Sequence, residues 1–132
     1  AGGGAPEALL AAFLKDWSER FEGRQQLAIN KFAEALEIIP LTISENAGMD
    51  PIDTMVKLRA KQSEGKKWTG INAKEGRVAD MLSQNIVEPV VVKEQIIKSA
   101  TEAASMILRI DDVIAISGGS GGGMPPGMPP MG

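Results

Sequence analysis

The amino-acid sequence predicts a mainly α-helical fold, a bundle of about four to five helices with a small β-ribbon and a C-terminal strand. Three observations favour this fold class. Apolar residues recur at intervals of three and four through most of the chain, which is helical spacing. Only five of the 15 glycines lie between Ala5 and Ile116, so signals that would break helices are few there. Residues 110–116 instead alternate in the manner of a strand.

The first helix is predicted from Pro6 to Phe21. Proline suits the first turn of a helix, where its missing N–H would have no partner in any case. The apolar positions of this segment have helical spacing, and we interpret them as core packing: Leu9, Leu10, Phe13, Leu14, Trp17 and Phe21.

A second helix follows Gly23. Its apolar stripe, which we also interpret as core packing, consists of Leu27, Ile29, Phe32, Ala33, Leu36 and Ile39. Pro40 should end or kink this helix, because proline lacks a donor and clashes with the preceding turn. We expect a short helical continuation through Ile43 and Ala47, closed by Gly48 in the left-handed conformation.

The third helix has the clearest start signal. Asp50 can accept N–H bonds as the N-cap, Pro51 suits the first helical position, and Asp53 places negative charge where the helix dipole favours it. This helix is predicted to run to Gly65.

The region from residue 66 to residue 89 has a different character. Residues 68–72 are predicted to form a short strand and residues 74–76 a turn, while residues 77–81 form either a second strand or a single helical turn. A long helix is expected after Pro89. Its stripe contains Ile96, Ile97, Ala100, Ala104, Ile107 and Leu108.

The C-terminal strand is predicted over residues 110–116. The small ribbon offers little edge for it, and an unpaired apolar strand is an association hazard. We therefore expect this strand to pair with another chain. Residues 117–132 are rich in Gly, Met and Pro and carry no charge, so we expect a disordered tail.

Composition limits the function classes. A net charge of −3 argues against broad electrostatic binding of nucleic acid. The sequence has no cysteine and no histidine, which excludes disulfides, thiolate or imidazole metal sites and histidine-based catalysis. No apolar run approaches the ~20 residues of a membrane span. We expect a soluble, cytoplasmic chain that interacts with neither nucleic acid nor membrane. It begins with Ala1 rather than Met, which suggests a fragment or a processed product.

Two groups of residues could carry chemistry. Residues 2–4 are three glycines directly before a helix, where exposed N–H groups favour a phosphate or ribose. They lack the spacing of the known phosphate-binding loops, so a tight turn or close packing is the favoured interpretation. The second group is Asn72 and Ala73 with Ile86 and Glu88, because an amide, an apolar side chain and a carboxylate are groups that hold a nucleotide. From the residues alone, an ordinary loop is the favoured interpretation.

Taken together, several segments resemble one family in order over nearly the whole chain. They are residues 1–7 (AGGGAPE), 22–28 (EGRQQLA), 35–40 (ALEIIP), 45–53 (ENAGMDPID), 65–72 (GKKWTGIN), 98–104 (KSATEAA) and 107–114 (ILRIDDVI). These segments are similar to the carboxy-terminal part of archaeal group II chaperonins, the thermosome family. The Gly/Met tail fits the same family.

The resemblance implies that residues 1–116 are the C-terminal part of the equatorial domain, the ATP-binding and ring-forming part of a folding chamber. The implied cofactor is ATP or ADP with Mg²⁺ in the complete subunit. The implied partners are other subunits in a double ring and unfolded client proteins. In this family the final strand would join a sheet with the neighbouring subunit, and the tail would project into the cavity.

The resemblance also implies roles for individual residues. Gly3 and Gly4 would lie beside the nucleotide, and Asn72 and Ala73 would border the base. The adenine and ribose side would be contacted by Ile86 and Glu88.

The sequence departs from the complete family pattern. The phosphate-binding loop, the metal-binding Gly-Asp-Gly-Thr motif and the catalytic Asp are absent, and Leu41 follows Pro40 where a basic residue is expected. We therefore expect no ATP hydrolysis by this chain alone. An alternative function is an autonomous helical interaction or self-assembly module that binds no nucleotide.

Overall fold

A computed structural model describes residues 1–118, and side chains as far as residue 110. The described elements are α1 (Ala5–Ser18), α2 (Gly23–Asn46), α3 (Pro51–Ser63), β1 (Thr69–Asn72), β2 (Arg77–Asp80) and α4 (Val90–Gly118). The mainly helical fold class is thus confirmed. The chain divides into two compact units, of which the first ends at Glu88 and the second begins at Pro89.

Helix α1 packs through its small residues. Ala5, Ala8 and Ala11 are buried, whereas the side chain of Phe13 is 60% exposed. Alanine faces let helices approach closely, so the larger apolar side chains are left on the outer surface. The interpretation of the whole apolar stripe as core was therefore wrong for several positions on α1 and α2: Leu10, Phe13, Trp17, Leu27 and Phe32.

Helix α2 continues through Pro40, so the predicted break at this residue was wrong. The proline ring is fully buried. It packs so closely on Gly4 that a Cβ on that glycine would lie 2.7 Å from the Pro40 Cβ. Burial of the ring in this contact offsets the hydrogen bond that proline removes from the helix. As predicted, Gly48 has a positive φ, of 72°, just after the helix.

Helix α3 starts as the sequence predicts. The Asp50 carboxylate accepts a hydrogen bond from the Asp53 N–H at 2.8 Å, and Pro51 occupies the first helical position. The buried face of the helix includes Met55 and Leu58, which pack with Ala8 of α1 and with Ile71 of β1, the four residues forming one core cluster.

The predicted ribbon is confirmed as an antiparallel hairpin. Strands β1 and β2 pair from Thr69 with Asp80 to Asn72 with Arg77. Strand β1 is buried along its whole length. A second core cluster, of Ala5, Ala79 and Met81, lies against this hairpin.

Helix α4 confirms the long helix expected after Pro89 but corrects the predicted C-terminal strand. Residues 110–116 continue the helix, which ends at Gly118. A strand needs a neighbouring edge, whereas a helix pairs its backbone groups within itself. Ile107, Ile110 and Ile114 are also spaced by three and four, which suits a helix.

The sequence predicts a disordered tail over residues 117–132. Residues 117 and 118 belong to the last turn of α4, and residues 119–132 lie outside the described part of the chain. Within residues 1–118, none of the helices has the combination of length and apolar character needed to cross a bilayer.

Candidate functional site

A cavity of about 500 Å³ opens where the amino-terminal glycines meet the hairpin. Its walls are formed by Gly3, Ile43, Ile71, Asn72, Ala73, Lys74, Glu75, Gln84 and Ile86. Four of the six residues singled out from the sequence therefore come together here. The other two, Gly4 and Glu88, lie outside the lining.

The glycine segment is held by main-chain hydrogen bonds on both sides. The Ile71 N–H of β1 donates to the Gly3 carbonyl at 2.8 Å, and the Gly2 N–H donates to the Ile86 carbonyl at 2.9 Å. Ile86 is itself tied to the end of the hairpin, because its N–H donates to the Met81 carbonyl at 2.9 Å. These bonds bring segments from distant parts of the sequence to one cavity.

Close packing requires glycine at position 3. A Cβ there would lie 2.5 Å from the Ile71 carbonyl oxygen and 2.6 Å from the Met81 sulfur, and the φ of 63° already disfavours any side chain. Gly70 is its counterpart on β1, since a Cβ on that residue would lie 2.8 Å from the Gly2 carbonyl oxygen. The packing interpretation of the glycines is thus confirmed, and Gly3 also lines the cavity.

Gly4 serves the fold at the start of α1. Its φ is 72°, and its position against Pro40 leaves no room for a side chain. Gly4 does not line the cavity, whereas its neighbour Gly3 does.

Asn72 organises the hairpin turn. Its side chain is buried, with the Oδ1 atom accepting from the Glu75 N–H at 3.1 Å and the Nδ2 atom donating to Gln84 Oε1 at 3.4 Å. Ala73 is exposed beside it. Sequence reasoning missed Gln84, which reaches Asn72 only through the folded loop after β2.

Ile86 and Glu88 occupy different positions. Ile86 is half-buried, packs against the cluster of Ala5, Ala79 and Met81, and lines the cavity. Glu88 is exposed, and its Oε1 atom lies 3.4 Å from where a Cβ on Gly2 would stand. The carboxylate is therefore beside the glycine segment.

The sequence matches the TCP-1/cpn60 chaperonin family over residues 1–117, which is most of the chain. The chain belongs to this chaperonin family. The residues around the cavity all lie within the matched part.

Chaperonins of archaea are among the relatives. The chain is 58% identical over 115 residues to a thermosome subunit of Methanopyrus kandleri, covering 87% of this chain and 21% of that protein. It is 50% identical over 133 residues to the thermosome subunit beta of Archaeoglobus fulgidus, covering 98% and 24%. The resemblance to archaeal group II chaperonins is confirmed.

A solved chaperonin structure supports the fold. The open-state monomer of a group II chaperonin from Methanococcoides burtonii superposes with a TM-score of 0.81 at 48% identity, covering 83% of this chain and 27% of that one. The chain thus spans about a quarter of the length of the chaperonins it matches.

Proposed function

We propose that the chain is the C-terminal part of a group II chaperonin equatorial domain, spanning residues 1–116, and that it forms the base and ribose side of an ATP site. The observation that carries this proposal is the cavity that brings together Gly3, Asn72, Ala73 and Ile86 in a chain of this family. The complete protein would assist protein folding in an ATP-dependent manner.

The cavity has the chemical character that a nucleoside requires. Ile43, Ile71 and Ile86 offer an apolar wall for a base, and the amides of Asn72 and Gln84 offer polar contacts at its edge. Its volume of about 500 Å³ lies within the range of small-ligand sites. Asn72 and Gln84 already bond to each other, so we assign the base contact to the two amides together, with Gln84 as a residue that the sequence did not indicate.

The ribose contact is assigned to Glu88. A carboxylate accepts hydrogen bonds from sugar hydroxyls, and charge-assisted bonds of this kind are about twice as strong as neutral ones. Its position beside Gly2 puts it next to the glycine segment, of which Gly3 lines the cavity, so the proposal sets the sugar between Glu88 and this segment.

Magnesium is a different case. Among the residues that the structure describes, no three Asp, Glu, His or Cys side chains gather as a metal site. We derive no step through the Mg²⁺ that the family implies.

The remaining parts of the proposal concern the complete protein. Its partners would be other subunits in a double ring and unfolded client proteins, and its location would be the cytoplasm.

Ala73→Phe tests the nucleotide site. Ala73 is exposed and lines the cavity, so a phenylalanine there should fill the cavity without disturbing the core. We expect the affinity for fluorescently labelled ATP to fall by about tenfold or more, equivalent to at least ~1.4 kcal/mol. Fluorescence anisotropy of the purified chain measures this change.

The matched control is Lys67→Phe, which adds the same ring at an exposed position outside the cavity. It should leave the affinity unchanged. Equal affinities for wild type and Ala73→Phe would refute the proposed site. The alternative, an interaction module that binds no nucleotide, is supported by the exposed apolar side chains of α1 and α2.

A further inference from the structure

Gln62 of α3 makes an unusual contact with two backbone segments. Its side chain is only 7% exposed. The Nε2 atom donates to the Ala5 carbonyl at 3.0 Å and to the Thr69 carbonyl at 3.1 Å. One amide nitrogen thus joins the start of α1 to the start of β1.

We propose that Gln62 is a positioning residue that sets the spacing between two walls of the candidate nucleotide cavity. This inference rests on the proposed function. Ala5 follows the glycine segment, which supplies Gly3 to one wall, and Thr69 opens the strand that supplies Ile71 and Asn72 to another. The amide clamp holds the two segments at a fixed separation.

The chemistry of a primary amide suits this task. Its nitrogen carries two hydrogens, so it can satisfy two carbonyls at once, whereas a carboxylate offers no donor and a hydroxyl offers one. Ala5 and Thr69 are both buried, at 0% and 2% exposure. Water therefore cannot replace the Gln62 amide as a hydrogen-bond donor to their carbonyls.

The oxygen of the Gln62 amide supports the conclusion that this side chain acts as a hydrogen-bond donor. Gln62 Oε1 is buried and has no hydrogen-bond partner among the described residues. Burying an unpaired acceptor is unfavourable. Glutamine at this position is therefore explained by what its nitrogen donates.

A parallel main-chain bond reports on the clamp. The Ile71 N–H donates to the Gly3 carbonyl at 2.8 Å, between the same two segments. If Gln62 holds the segments together, its loss should open this bond more often than bonds elsewhere in the first unit.

The test uses Gln62→Met in the full chain, since methionine has a similar volume but no donor. Hydrogen exchange measured by NMR should show the Ile71 amide exchanging about tenfold or more faster relative to the Phe21 amide, which bonds to the Ser18 carbonyl after α1. The affinity for labelled ATP should also fall, by about tenfold, because the two walls would no longer keep the separation that the ligand needs.

Thr54→Val is the matched control. It removes another buried side-chain hydrogen bond of α3, from Thr54 Oγ1 to the Asp50 carbonyl, remote from the glycine segment. It should leave both the exchange ratio and the affinity near wild type. Gln62→His, which retains a ring donor, provides a milder second variant should Gln62→Met fail to fold, and its exchange ratio should be intermediate.

Two outcomes would overturn the inference. An unchanged exchange ratio in both Gln62 variants would show that the amide does not clamp the segments. If a Gln62 variant had a raised exchange ratio but bound ATP as tightly as Thr54→Val, Gln62 would clamp the segments without positioning the site. Absence of ATP binding by the folded wild type would instead count against the proposed function, while the exchange ratio would still decide whether Gln62 acts as a clamp.

Discussion

At the scale of single residues, the glycines of this chain differ in what they require. Gly3 and Gly76 have the same φ of 63°. A Cβ on Gly3 would collide with Ile71 and Met81, whereas a Cβ on Gly76 would meet no atom within 4 Å. Substituting each glycine by alanine therefore distinguishes the loss of stability caused by backbone conformation from the loss caused by close packing.

Gly3→Ala is expected to destabilise the chain more than Gly76→Ala. The left-handed conformation alone costs a non-glycine residue about 1–2 kcal/mol, and overpacking at Gly3 should add about 1–3 kcal/mol. Urea unfolding followed by circular dichroism measures both variants. Equal losses of stability would contradict the close packing between Gly3 and β1.

Residue roles were the part of the site least accessible from sequence. The sequence suggests Asn72 because an amide can contact a base, but in the fold its buried side chain bonds to Glu75 and Gln84. Gln84 and Gln62 gave no sequence signal, because their partners are brought near only by the fold. Gly70 could have been suspected, since a glycine inside a strand often marks a close backbone approach.

At the scale of elements, the sequence predicted those helix starts and turns that depend on neighbouring residues alone. The start of α3 followed from Asp50 and Pro51. The first strand and the glycine turn of the hairpin were predicted, but residues 77–81 could also have formed a helical turn. The predicted break at Pro40 failed because tertiary packing holds the ring within α2. The C-terminal strand failed because alternation over a few residues does not distinguish a strand from the end of a long helix.

Glu37 of α2 joins three helices. Its carboxylate accepts hydrogen bonds from Lys15 of α1 at 2.7 Å and from Arg59 of α3 at 2.6 Å, and its side chain is 12% exposed. The two cations are partly in solvent, which weakens each pair by screening. We expect Glu37→Gln to lower the free energy of unfolding by about 1–2 kcal/mol.

Glu34→Gln is the control on the same helix. Glu34 pairs with Lys31 three residues earlier, and both side chains are more than half exposed. Its loss should affect stability much less, because the pair joins no second element and is surrounded by water. Urea unfolding at low and high salt measures the free energy of unfolding of both variants. Equal losses of stability in the two variants would disprove the cross-helix role of Glu37.

At the scale of the whole molecule, the family resemblance predicted more than the residue patterns did. Matching segments in order across the chain indicated a group II chaperonin, and the comparisons confirm it. The apolar stripes, in contrast, predicted a core that α1 and α2 bury only in part. A stripe shows that an apolar face exists but not which of its side chains are covered within this chain.

The exposed apolar surface of the first unit should make the chain self-associate. Phe13, Leu27 and Ile38 are each about 60% exposed, and large uncovered apolar surfaces favour association. The double variant Phe13→Ser with Leu27→Ser should raise the dissociation constant by about tenfold or more, since each buried apolar side chain contributes ~1.5–3 kcal/mol. Sedimentation velocity over a range of concentrations measures this change.

Arg24→Ser, at an exposed polar position of α2, should leave association unaltered. A wild-type chain that stays monomeric at all concentrations would show that these side chains do not drive association.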